Sequence, residues 1–195
     1  SQSDAPRPAE VIVDDTDSGF ATGGDERYLY GRSAGYGGHL YWTWNSDERL
    51  YNWARWYPGL NASGNWEVSV WVPRRYFSTR NAVYTVRHNG ANDAAAVDQS
   101  AFADEWVSLG TYYFAGLPDE YVSLGDDTGE AYGTRFVGFD AVRFVLRGNS
   151  GEAKAASECA IAPVLAFGRV WSTESTVRGS LGCATEREER IWAVE

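Results

Sequence analysis

Eight aromatic rings fall between residues 36 and 57: Tyr36, Tyr41, Trp42, Trp44, Tyr51, Trp53, Trp56 and Tyr57. Sugar rings present flat C–H faces on which Trp and Tyr can stack while nearby polar groups bond the hydroxyls. Alternation puts Leu40, Trp42 and Trp44 on one face of a strand over 39–44, with Tyr41 and Thr43 on the other. Over 51–57, Tyr51, Trp53 and Tyr57 oppose Asn52, Ala54 and Trp56. A hairpin made of these two strands could not bury all eight rings. Tyr41, Trp42, Trp44, Tyr51 and Trp53 are therefore the candidate carbohydrate-binding residues. Core packing is the competing reading for each ring, and an exposed aromatic patch serves protein assembly as well as glycan binding.

Two acidic groups offer a second chemistry. Asp14, Asp15 and Asp17 cluster after a strand candidate, and Asp126 and Asp127 lie in a loop with Glu130 nearby. Calcium takes six to eight oxygens from such carboxylates and carbonyls. The spacing is not that of an EF-hand, and solvated turn residues are the competing reading. Catalysis has poor support. The two histidines, His39 and His88, lack metal-ligand spacing, and a Ser/His/Asp set can be assembled from almost any chain of this size. We expect no enzyme. Asn61-Ala62-Ser63 is a glycosylation sequon in an expected turn.

The elements that must position these residues read as strands. Candidates fall at 10–14, 39–44, 51–57, 65–73, 82–88, 94–98, 106–115, 120–124 and 135–146. In 66–72, Trp66, Val68, Val70 and Val72 share one face. Turn signals separate the strands, among them Asn61-Ala62-Ser63-Gly64, Asn89-Gly90, Pro118-Asp119 and Gly125-Asp126-Asp127. Residues 15–38 are rich in Gly, Asp and Ser with little periodicity. Short strands at near-regular spacing predict an all-β, antiparallel, jelly-roll-like β-sandwich over 10–147. An extended N-terminal arm (1–9) precedes it. A linker and a short C-terminal segment (148–195) follow, with a capping-box spacing at Thr185 and Glu188.

Composition narrows the setting. The chain has 195 residues and a net charge of −10, which argues against nucleic acid as a partner. No apolar run is long enough for a membrane helix. The absence of Met and the start at Ser1 suggest a processed, secreted chain, in which Cys159 and Cys183 would form a disulfide contributing about 3 kcal/mol. Two free thiols are the alternative.

Ordered strings over residues 11–146 carry a family resemblance. They include Ile12-Val13-Asp14-Asp15 with Gly19-Phe20, Gly35-Tyr36-Gly37-Gly38, and Ala54-Arg55-Trp56 leading to Asn65-Trp66-Glu67-Val68-Ser69-Val70-Trp71-Val72-Pro73. Further along stand Asn81-Ala82-Val83-Tyr84-Thr85-Val86-Arg87-His88, Trp106-Val107-Ser108-Leu109-Gly110 and Asp140-Ala141-Val142-Arg143-Phe144-Val145. The segment resembles the golvesin C-terminal-like domain, a module of xanthan-lyase-type secreted bacterial proteins. The resemblance implies a non-catalytic, carbohydrate-associated β-sandwich module outside the cell or on its surface, and it transfers no catalytic residues. The expected partner is a polysaccharide or cell-surface glycan. The alternative is a self-assembling subunit of an extracellular filament or surface layer, its arm adding as a strand to another copy.

Overall fold

The structure, a computed structural model, describes residues 9–148. Cys159, Cys183 and the capping-box segment at Thr185 and Glu188 lie outside the described residues, as does the arm apart from Ala9. Among the described residues, twelve strands form three sheets. In chain order they are β1 (Glu10–Val13), β2 (Phe20–Gly24), β3 (Tyr30–Arg32), β4 (Leu40–Trp44), β5 (Asn52–Trp56) and β6 (Gly64–Val72). There follow β7 (Ala82–His88), β8 (Ala91–Val97), β9 (Glu105–Phe114), β10 (Tyr121–Gly125), β11 (Phe136–Phe139) and β12 (Val142–Gly148). The sheets run β1-β12-β6-β9, β2-β5-β10-β7-β8 and β11-β4-β3, and every paired strand is antiparallel. The all-β, sandwich-like arrangement expected from the alternation is present.

The period-two pattern sets which side chains meet. Trp66, Val68, Val70 and Val72 of β6 are buried, and so are Val142 and Phe144, which stand across from Val70 and Val68 on β12. Ala82, Tyr84 and Val86 of β7 join Ala54, Trp56, Val122 and Leu124 in the same core. Each such aliphatic side chain contributes roughly 1.5–3 kcal/mol by leaving water. The turn Asn89-Gly90 closes the β7–β8 hairpin, with Asn89 at φ 44° and Gly90 at φ 76°. Two successive positive φ values match the twist of the flanking strands, and Asn-Gly tolerates them.

Three expectations are corrected. The strands over 39–44 and 51–57 do not pair as a hairpin: β4 joins β11 and β3, whereas β5 joins β2 and β10. The connection between them is tied to another loop, Ser46 N–H donating to Asp126 O at 2.7 Å and Thr128 N–H to Ser46 O at 3.2 Å. The single strand expected over 135–146 is two, split at Asp140 and Ala141 so that β11 and β12 enter different sheets. The irregular stretch 15–38 holds two strands, β2 and β3, whose Gly-rich sequences lack an alternating signal.

Candidate carbohydrate-binding site

Asn45 follows β4 and is 1% exposed. Its Nδ2 donates to the backbone oxygens of Glu130 (3.1 Å) and Ala131 (3.0 Å), and its Oδ1 accepts from the N–H groups of Thr134 (2.9 Å) and Arg135 (2.7 Å). One amide thereby holds the loop from 130 to 135 against the end of β4. Gly133 N–H adds a bond to Asn45 O. That loop carries Tyr132. The start of β5 is fixed by Asp126, whose Oδ1 and Oδ2 accept the N–H groups of Tyr51 and Asn52, each at 2.8 Å. Burial raises the Asp126 carboxyl above the usual range, against these donors.

Between these elements lies a cleft of about 440 Å³, within the usual size of small-molecule sites. Tyr28, Trp44, Tyr51 and Tyr132 line it, and all four are substantially exposed. Tyr51 and Tyr132 meet edge to face with centroids 6.4 Å apart. The Trp44 ring is braced by Phe136 at 4.5 Å, which leaves 41% of the residue open. Thr43, Asn45, Asn52, Asp25 and Asp126 supply the polar lining. Asn52 Oδ1 is buried without a hydrogen-bond partner. Exposed rings over a fixed polar floor can stack on an apolar sugar face and bond its hydroxyls.

The structure divides the five aromatic candidates. Trp44 and Tyr51 enter the cleft. Trp42 is 7% exposed and stacks on Tyr30 with centroids 4.6 Å apart, so it is a core residue and is corrected as a binding candidate. Tyr41 is half-buried and stacks on Phe20. Trp53 lies against Gly23, under the Arg55 guanidinium at 4.6 Å, and lines a separate depression with Leu50, Val83 and Ser123. Sequence reasoning missed Tyr28 and Tyr132. Each sits in a short, turn-rich segment where alternation says nothing; a lone aromatic next to Gly133 was the available signal.

The acidic candidates also separate. Asp17 accepts from Asp14 N–H at 2.8 Å, as a turn residue does. Asp126 serves β5, and Asp127 forms an isolated bridge with Ser46. Asp14 and Asp15 instead meet Asp140, which the sequence did not single out. One oxygen from each lies within 4.8 Å of the others, and all three residues are buried. His39 Nδ1 is 2.5 Å from Asp15 Oδ2. Burial raises Asp140 to about 9, with the charges of Asp15 and Asp14 adding to it, and raises Asp15 to about 6 against the pull of His39. His88 has a structural place, bonded to Tyr113 O at 2.9 Å and Asp93 Oδ2 at 2.7 Å.

Fold and cleft together define a β-sandwich module with an aromatic-lined surface site. The chain belongs to the Golvesin C-terminal domain family, whose model matches residues 11–146. Among solved structures it is similar to a Paenibacillus xanthan lyase, at 24% identity and a TM-score of 0.60, over 71% of this chain and 13% of that one. It thus spans a small part of that enzyme's length. It is also similar to the C-terminal CBM6 of a marine laminarinase from Zobellia galactanivorans, at 12% identity and a TM-score of 0.47, over 70% of this chain and 99% of that one. No curated protein sequence matches it.

Proposed function

We propose that this protein is a non-catalytic module that binds carbohydrate in the cleft formed by Tyr28, Trp44, Tyr51 and Tyr132, and that it acts outside a bacterial cell. The observation that carries the reading is the set of four exposed rings converging on one cleft with a hydrogen-bonded polar floor. Family membership supports it, since a related fold forms part of a xanthan lyase. The lining holds two carboxylates, Asp25 and Asp126, and no basic side chain. With no basic side chain in the lining to pair a uronate carboxylate, neutral glycans are the preferred class.

Affinity electrophoresis and calorimetry against neutral β-glucans, xylan and anionic xanthan test this. The expected result is binding to a neutral polysaccharide that weakens at least ~10-fold in Trp44→Ala, the loss of one stacked ring being worth about 1.4 kcal/mol or more. Trp53→Ala should leave affinity unchanged. Absence of binding to every polysaccharide, or loss in Trp53→Ala alone, overturns the assignment.

A further inference from the structure

We infer that Asp14, Asp15 and Asp140 form a calcium site that joins the end of β1 to the β11–β12 turn. One oxygen from each lies within 4.8 Å of the others, no farther apart than two oxygens on opposite sides of a calcium ion with ligands at about 2.4 Å. The carboxyl groups are only partly satisfied by protein. Asp15 is 5% exposed and Asp14 8% exposed, yet the Oδ1 of each is buried without a hydrogen-bond partner. Those two atoms, shut away from water, are what a cation would need and what a merely solvated acidic turn would not show. Among the described residues, the basic side chain paired with the three is His39, on Asp15. Three carboxylates in a water-poor site cannot all stay charged against one imidazole.

The surrounding backbone is shaped to the carboxylates. The loop Gly35-Tyr36-Gly37-Gly38 closes over them, with Gly35 at φ 84° and Gly37 at φ 64°. A Cβ on Gly35 would collide with Asp140 Oδ2, and one on Gly37 with Asp14 Oδ2. Tyr36 N–H donates to both oxygens of Asp140, at 3.2 and 3.1 Å. The donors are oxygens, the ring nitrogen of His39 facing the cluster is already engaged, and the oxygens come from irregular backbone; this favours calcium over zinc. Water and backbone carbonyls would complete its shell.

The test is calorimetric titration of the metal-stripped, full 195-residue chain with calcium, alongside thermal melts. One calcium per chain is expected, and a melting-temperature rise of about 5–10 °C at roughly 100-fold excess over the dissociation constant. Asp140→Asn should lose both effects, while Asp127→Asn and Trp44→Ala keep them. At pH 8 in chelator, Asp140→Asn should melt above the unaltered protein, and in calcium below it. No heat and no melting shift in the unaltered protein up to ~10 mM calcium, beyond the weakest extracellular sites, overturns the inference. So does calcium binding that survives Asp140→Asn or is lost in Asp127→Asn. Should Asp140→Asn not fold, terbium emission excited through Tyr36 and its neighbour Trp71, 5.7 Å away, decides in the unaltered chain. Sensitised emission displaced by calcium supports the site, and its absence overturns it.

Discussion

Asn45 uses both ends of its amide on a single loop, and the loop presents Tyr132 to the cleft. Asn45→Ala strands the Arg135 N–H and the Glu130 carbonyl, while Thr134 N–H and the Ala131 carbonyl keep their bond to each other. Leaving such groups without partners costs about 1–3 kcal/mol each where water cannot reach them. The expected loss is about 2–4 kcal/mol in urea unfolding, with weaker glycan affinity in the fraction that stays folded. Asn45→Asp should not rescue it. A carboxylate can still accept from Thr134 and Arg135, but it turns an acceptor toward the Glu130 and Ala131 carbonyls. Equal stability of Asn45→Asp and the unaltered chain would show that the loop is held by other contacts. At this scale the sequence was partly legible. Trp44 and Tyr51 stood out because they end and begin clear strands. Trp42 misled because alternation assigns it the same face as Trp44, and only the strand end frees Trp44 from cover.

Elements are joined by buried carboxylates that accept from backbone. Glu120, just before β10, is 3% exposed. Its Oε1 accepts from Asn89 N–H (2.7 Å) and Ala115 N–H (2.8 Å), and its Oε2 from Gly116 (2.9 Å) and Leu117 (2.8 Å). One side chain thus ties the β7–β8 turn to the segment between β9 and β10. Hydrogen bonds to a charged group contribute about 1.5–3 kcal/mol each, though never additively. Glu120→Gln replaces one acceptor with an NH2 that faces backbone donors. It should therefore destabilise by about 2–4 kcal/mol, nearly as much as Glu120→Ala, with faster hydrogen exchange at Asn89 and Ala115. A neutral Gln variant would mean that the charge and the second oxygen contribute little. The strands themselves were readable wherever one face is buried and the other wet, as in β6 and β7. They were not readable in β2, where Phe20-Ala21-Thr22-Gly23-Gly24 has few side chains to alternate and the Trp53 ring packs on Gly23. The β11–β12 division was hidden because the break is a single acidic residue, Asp140, in a strand-like run, with no Pro or Asn-Gly pair to mark a turn.

For the molecule as a whole, the net charge of −10 would suggest ordinary acid sensitivity, since paired carboxylates lose their partners on protonation. Asp25 and Asp119 behave that way: hydrogen bonds from Arg27 and Arg87 lower both, but both are surface pairs. Three buried carboxylates run in the opposite direction. Asp140 rises to about 9, Asp15 to about 6, and Asp126 also rises, burial being the leading cause each time. A raised carboxyl keeps its proton in the folded state after the unfolded chain has released it near pH 4. The folded state then binds more protons than the unfolded one, so stability falls as pH climbs from about 4 toward 9. In metal-free buffer the melting temperature should accordingly be higher at pH 5 than at pH 8. Calcium requires the same carboxyl groups deprotonated, so in its presence the slope should reverse as acid competes for the site. Thermal melts across this range, with and without calcium, read both slopes directly. A metal-free protein that gains stability from pH 5 to pH 8 would show that Asp140 ionises freely in the fold and that the buried cluster finds its compensation elsewhere.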